Sequence, residues 1–192
     1  LAVGPAVPAE VKTLKDFLAW CKNNPDKASF GSPGAGTQPH LIGSLLSLRS
    51  GIKLSHVPYR GTAPAVSDLA GGQIAAVMGP SGDFLSYYKA GKLRVLATSG
   101  PQRNPYLPNV PTFAEQGFAD LTAEEWFGFY ANAKTPLDVR QRAHAAITAA
   151  LKSDALKESV GVVGLIATSS TPEEMARSQQ AEFERWGPLV KQ

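Results

Sequence analysis

Hydrophobic and polar positions along this chain alternate between short apolar runs, sharp turns and helical stripes. Leu1-Ala2-Val3 reads as the middle of a strand. Thr13 caps a helix to about Asn23 that places Leu14, Phe17, Leu18 and Cys21 on one face, and Pro25 ends it. Ala28-Ser29-Phe30 is strand-like and feeds the glycine-rich turn Gly31 to Thr37. A helix follows from Pro39 to about Ser50, with Leu41, Ile42, Leu45, Leu46 and Leu48 inward and Gly51 closing it. Lys53 to Pro58 forms the next strand, the turn Tyr59 to Pro64 the next bend, and Thr62 caps a short helix that stops at Gly71-Gly72. Gln73 to Met78 is a third strand, apolar throughout its second half as buried parallel strands are. It opens into Gly79-Pro80-Ser81-Gly82, a helix to about Ala90 and a fourth strand, Leu93 to Thr98.

That cadence predicts an α/β fold with a mostly parallel sheet flanked by helices. It breaks where Pro101, Pro105, Pro108 and Pro111 cluster, which places a domain boundary between about Gly100 and Ala123. Beyond it the pattern predicts a strand at Trp126–Ala131 and a helix from Thr135-Pro136 with Val139, Ala143, Ile147 and Ala150 on one face. A shorter helix from Ser153 and a strand over Val163–Thr168 come next. The capping box Thr171-Pro172-Glu173-Glu174 then starts a last helix carrying Met175, Phe183, Trp186 and Val190. This C-terminal segment is too small and too helical to own a complete core. It calls for further residues to pack against.

At 192 residues, 43% hydrophobic and 18% charged, the chain can bury a substantial core. The net charge of +3, without basic runs interleaved with aromatics, argues against nucleic acid. No apolar stretch approaches the length of a membrane span, and no signal peptide is visible, as expected of a mature or truncated product. Cys21 is the one cysteine, so no intrachain disulfide forms, and its helical position reads as a buried, inert thiol.

Three turns carry candidate chemistry: Gly31–Thr37, Tyr59–Pro64 and Met78–Gly82. Each leads from a strand into a helix, so each aims unsatisfied N–H groups and a positive dipole end at the carboxyl edge of the sheet. Glycines let the backbone approach a ligand closely there. Together the turns predict a site for a small anion. An α/β enzyme handling phosphate is the first rival, yet Gly36-Thr37 is followed by Gln38 where a P-loop needs its lysine. Lys53 to Tyr59 offers no acidic residue for a dinucleotide, and no Gly-x-Ser-x-Gly elbow supplies a nucleophile, so no catalytic residue is assigned. A ligand-sensing domain of a regulator is the second rival, although no helix-turn-helix is present. His40, His56 and His144 lack metal-ligand spacing, so neither metal nor cofactor is expected. His40, one position into its helix, can touch ligand or bond its own turn, and His56 reads as structural. Tyr59 and Thr62 are turn residues first and crevice-lining candidates second. Trp20, Trp126 and Trp186 read as core or interface aromatics.

The order of local motifs resembles one family. Phe30 to Leu41 is similar to the glycine- and serine-rich segment ending in His-Leu of the tripartite tricarboxylate transporter substrate-binding proteins, also called the Bug family. His56-Val57-Pro58-Tyr59-Arg60-Gly61, Asp68-Leu69-Ala70-Gly71-Gly72-Gln73, Ala90-Gly91-Lys92-Leu93-Arg94 and Pro108-Asn109-Val110-Pro111-Thr112 resemble its later segments in the same order. The resemblance implies a two-lobed, type II periplasmic binding-protein fold. It implies a solute-binding protein, not an enzyme, that captures a small carboxylate in the periplasm and hands it to membrane transporter subunits. Residues 1–120 would form the second lobe and 121–192 an incomplete returning part of the first, the family's N-terminal part being absent. Such a protein would be monomeric at full length, while this fragment could dimerise through exposed surface.

Carried over residue by residue, the family's carboxylate loop falls on Ser32, Gly34, Ala35, Gly36 and Thr37, holding the anion through backbone N–H groups and the two hydroxyls. In the turn Gly79-Pro80-Ser81, Gly79 stands where the family often has an aspartate suited to an amino group. The departure implies a ligand without ammonium: a di- or tricarboxylate, or an aromatic acid.

Overall fold

The computed structural model describes residues 1–190. The chain divides into two compact units, Leu1–Glu125 and the residues from Trp126 onward.

The first unit is built on a five-stranded sheet. Its strands are β1 (Ala2–Val3), β2 (Ser29–Ser32), β3 (Ser55–Pro58), β4 (Ala76–Val77) and β5 (Arg94–Val95), in the order β3-β2-β4-β1-β5. β3, β2 and β4 are parallel neighbours, with Ser32 opposite Pro58 and Gly31 opposite Val77. β1 runs antiparallel to both β4 and β5. The mostly parallel sheet therefore contains one reversed strand, supplied by the first residues of the chain. β3, β4 and β5 are shorter than the runs that predict them, whereas β2 extends past Phe30 to Ser32, where it still pairs with Pro58.

Four helices cover this sheet: α1 (Leu14–Asn23), α2 (Gln38–Ser50), α3 (Thr62–Ala70) and α4 (Ser81–Lys89). α1 starts at the expected cap: Thr13 Oγ1 accepts from the Asp16 N–H and Asp16 accepts from the Thr13 N–H. α2 ends on Gly51, whose φ of 67° is the left-handed geometry that glycine adopts without a Cβ penalty. Leu41, Ile42, Leu45 and Leu46 are buried as expected, but Leu48 is 60% exposed. Helical period alone cannot show where the covered face of α2 stops. The core joins Ala2, Ala65, Val66, Leu69, Ile74, Val77, Phe84, Leu85 and Val95 across sheet and helices. Burial pushes the Cys21 thiol up to about 12, in keeping with an inert residue.

Two side chains pin the loops of this unit. Arg94 donates to the carbonyls of Val7 (2.9 Å), Pro8 (3.0 Å) and Val11 (3.2 Å), holding the loop between β1 and α1 against the sheet. In the proline-rich stretch Arg103 pairs with Glu115, whose carboxylate also accepts from the Thr112 N–H at 2.7 Å.

The second unit holds α5 (Leu137–Leu151), α6 (Asp154–Val162) and α7 (Pro172–Val190). α7 opens with the expected box, Thr171 Oγ1 accepting from Glu174 N–H while Glu174 accepts from Thr171 N–H. The strands predicted at 126–131 and 163–168 are not strands: both segments are irregular. A strand exists only when another completes its ladder, and no described residue of this unit does so. Residues 126–130 instead lie along α7, with Trp126 Nε1 donating to Glu182 at 2.9 Å and the Tyr130 hydroxyl to Gln179 at 3.3 Å. Phe129 (76%), Phe183 (73%) and Val162 (80%) stay largely exposed, and neither α5 nor α6 buries a residue.

Candidate functional site

The parallel trio β3-β2-β4 sets its carboxyl ends side by side, so the three turns predicted from the sequence share one edge. Backbone bonds tie them together. Tyr59 N–H donates to Ser32 O, Gly61 N–H to Pro33 O and Met78 N–H to Gly31 O, each at 2.9 Å. Gly79 lies hard against the middle turn, where a Cβ would stand 2.9 Å from Thr62 Cγ2. Ser32, Gly34, Ala35, Gly36, Thr37, Tyr59, Thr62, Gly79, Pro80 and Ser81 thus occupy adjoining turns, with His40 above the first.

Those turns deliver three helix N-termini. None of α2, α3 and α4 has a side-chain cap among the described residues, nor has α5 in the second unit, whereas α1, α6 and α7 are capped by Thr13, Ser153 and Thr171. Thr62 proves to be the first helical residue of α3, its predicted capping place being taken by Gly61 at φ 100°. α2 and α3 carry no acid in their first turns, and α4 carries Asp83. Uncapped N–H groups on parallel dipoles make an edge that favours negative charge.

The first turn is more fully engaged than its sequence suggests. Ser32 is completely buried; its Oγ lies 3.1 Å from Gly34 O and 2.7 Å from His56 Nε2. The Thr37 hydroxyl donates to Gly34 O at 2.7 Å. Both hydroxyls expected at an anion therefore build the turn in this structure. Gly34 N–H reaches Ser32 Oγ at 3.4 Å, and Thr37 N–H reaches Gly34 O at 3.4 Å. Gly36 N–H donates to His40 Nδ1 at 3.0 Å. Ala35, at the exposed tip, has no hydrogen-bond partner for its N–H among the described residues.

Tyr59 is also structural: its ring lies beneath Gly31 and its hydroxyl donates to Asp68 at 2.9 Å. Burial first, then the Asp68 bond and charge, push its pKa up to about 12. His56, read from the sequence as a strand residue, supports the site from below. It pairs in register with Phe30, its ring 5.0 Å from Phe30 and 3.9 Å from His40. Period-two alternation put it on the face of Leu54; what it meets there depends on which residue β2 sets opposite.

Among the described residues no group of His, Cys, Asp and Glu could hold a metal ion, and no helix is long and apolar enough to cross a membrane. A cavity of about 370 Å³ lined by Cys21, Lys22, Pro25 and Ser50 to Lys53 lies at the amino ends of β2 and β3, away from the three turns.

Adjacent parallel strands flanked by helices, with helix N-termini gathered at one edge of the sheet, are the architecture of an α/β fold of the periplasmic binding-protein kind. The chain belongs to the tripartite tricarboxylate transporter receptor family, whose profile matches residues 1–192. It is 36% identical over 190 residues to a UPF0065 protein from the tcbD-tcbE intergenic region of Pseudomonas sp. strain P51, covering 96% of this chain and 56% of that protein. Among solved structures it resembles a periplasmic transporter (TM-score 0.91, 36% identity, 100% of this chain and 63% of that one). It also resembles Rpa4515 of R. palustris, solved with adipate (TM-score 0.90, 27% identity, 99% and 63%). The chain spans little more than half the length of that curated relative. The family is one of substrate-binding receptors, not enzymes.

Proposed function

We propose that this chain is the carboxylate-gripping part of an extracytoplasmic solute receptor that works in the periplasm and passes its ligand to membrane transporter subunits. Residues 1–120 would be one lobe and 121–192 the returning part of the other. One observation carries the reading: three uncapped helix N-termini meet at the carboxyl ends of β3, β2 and β4. The adipate in the R. palustris neighbour, a dicarboxylate, is the ligand chemistry such an edge suits. Ala35, Thr62, Gly79, Pro80 and Ser81 line the contact surface, while Ser32, Gly34, Gly36, Thr37, His40 and Tyr59 shape it.

Gly79 narrows the ligand. A carboxylate side chain there would meet Thr62, and without one no acid from this turn is available to an ammonium group. The ligand is therefore a di- or tricarboxylate or an aromatic acid without an amine. A thermal-shift screen with adipate, citrate, benzoate and aspartate tests this. Saturation at one hundred times Kd adds about 2.7 kcal/mol, several degrees of Tm for a protein of this size. Adipate, citrate or benzoate should raise Tm and aspartate should not. Equal stabilisation by aspartate, or none by any acid at 10 mM, would overturn the reading.

A further inference from the structure

We propose that His40 is a positioning residue that sets the shape of the 33–37 turn by holding the Gly36 N–H, on a platform made by His56 and Phe30. The inference rests on the proposed function only in taking this turn as the ligand loop.

Gly36 has φ of 77°, a conformation that leaves the 35–36 peptide free to turn about its flanking bonds unless something fixes it. His40, the third residue of α2, reaches back as a capping residue does, but its Nδ1 accepts at 3.0 Å from an amide ahead of the usual cap position. That bond requires a lone pair on Nδ1, so the ring carries its proton on Nε2. The ring cannot swing away freely. It lies 3.9 Å from the His56 ring at a tilt of 30°, and Phe30 stacks 6.4 Å from it. His56 is itself anchored through Nε2 to buried Ser32, at the start of the same turn. One linked set of rings thus grips the turn at both ends.

β3 contributes His56, β2 contributes Phe30 and Ser32, and the first turn of α2 contains no acid, while Gln38 Nε2 at its start donates to Glu124 O at 3.2 Å and so brings the acidic 124–125 segment to this end of the helix. Burial and the His40 charge push the His56 pKa down to about 4, so the platform stays neutral at physiological pH. A proton on His40 Nδ1 would replace the acceptor with a donor and release the Gly36 N–H.

The test needs no ligand. Amide hydrogen exchange and the 15N shift of Gly36 are followed by NMR at pH 8 in the wild-type chain, His40→Leu and His40→Asn. Asn keeps an acceptor, Oδ1, in place of Nδ1. The wild-type Gly36 amide should be at least tenfold more protected than the same amide in His40→Leu, and His40→Asn should restore that protection. A Gly36 amide equally protected in the wild type and in the leucine variant would overturn the proposal. So would loss of protection in the asparagine variant with the rest of the spectrum unchanged. A parallel adipate titration at pH 8 should show tenfold weaker binding for His40→Leu, largely recovered in His40→Asn; equal binding by wild type and His40→Leu counts against the proposal. If no variant binds adipate, the functional reading falls and the Gly36 measurement still decides this one.

Discussion

Gly43 offers the sharpest check on how α2 is seated over the site. It faces β2 from the middle of α2, and a Cβ added there would stand 2.2, 2.6 and 2.7 Å from Phe30 ring carbons. Ordinary contact distances are about 3.5–4 Å, so ring or helix must retreat by roughly an ångström. The ring has little room, being 1% exposed, with the His56 ring tilted against it at 5.0 Å and the His40 ring stacked at 6.4 Å. Overpacking of this kind costs about 2–3 kcal/mol, and replacing glycine by alanine inside a helix returns about 1 kcal/mol. Gly43→Ala should therefore destabilise the first unit by about 1–2 kcal/mol. Native-state hydrogen exchange at Phe30 and Val77 reads that unit without averaging over the second, and should quicken by roughly 5–30-fold. Phe30→Leu opens space, so the double variant should lose at least 1 kcal/mol less than the two single losses combined. Gly43→Ala at or above wild-type protection, or strict additivity, would refute the packing described for α2.

Three other outcomes follow from the same contacts. Arg94→Met should cost about 2–3 kcal/mol and loosen residues 7–11 in exchange experiments, because three carbonyls lose a charged donor. Thr98→Val should leave stability unchanged or raise it by about 1 kcal/mol in denaturant titration, since the buried Thr98 hydroxyl has no partner among the described residues. His56 binds protons less readily folded than unfolded, its pKa falling from 6.5 to about 4, so its contribution is complete above pH 6.5 and is lost as pH drops toward 4. The wild-type Tm should fall more than that of His56→Gln between pH 7 and pH 4.5, by an amount worth about 1 kcal/mol for a partly exposed ring; parallel profiles would contradict this.

Local chemistry made many helix ends legible in both units. Thr13 and Thr171 announce their helices because a capping box is complete within four residues, and Gly51 marks the end of α2 because only a left-handed residue fits there. The three glycine-bearing turns could be read as sharing one edge of the sheet, because parallel strands bring equivalent ends together. Pairings between distant segments were not legible. Nothing in Ala2-Val3 says that it runs antiparallel between β4 and β5. Trp126–Ala131 has the composition of a strand, but pairing belongs to a ladder and not to a segment. The site's inner support was hidden for the same reason: His56 meets Phe30 and Ser32 only through the β2–β3 register, and His40 reaches Gly36 only once the turn has closed.

The central claim is that amides at the carboxyl edge of β3-β2-β4 receive a carboxylate. A 1H–15N titration of the chain with adipate tests it most directly. Shifts concentrated at Ala35, Thr62–Ala63 and Ser81–Gly82 are the predicted result. Shifts gathered instead around Lys22 and Lys53 at the opposite end of the strands, or none at tens of millimolar adipate, would contradict it.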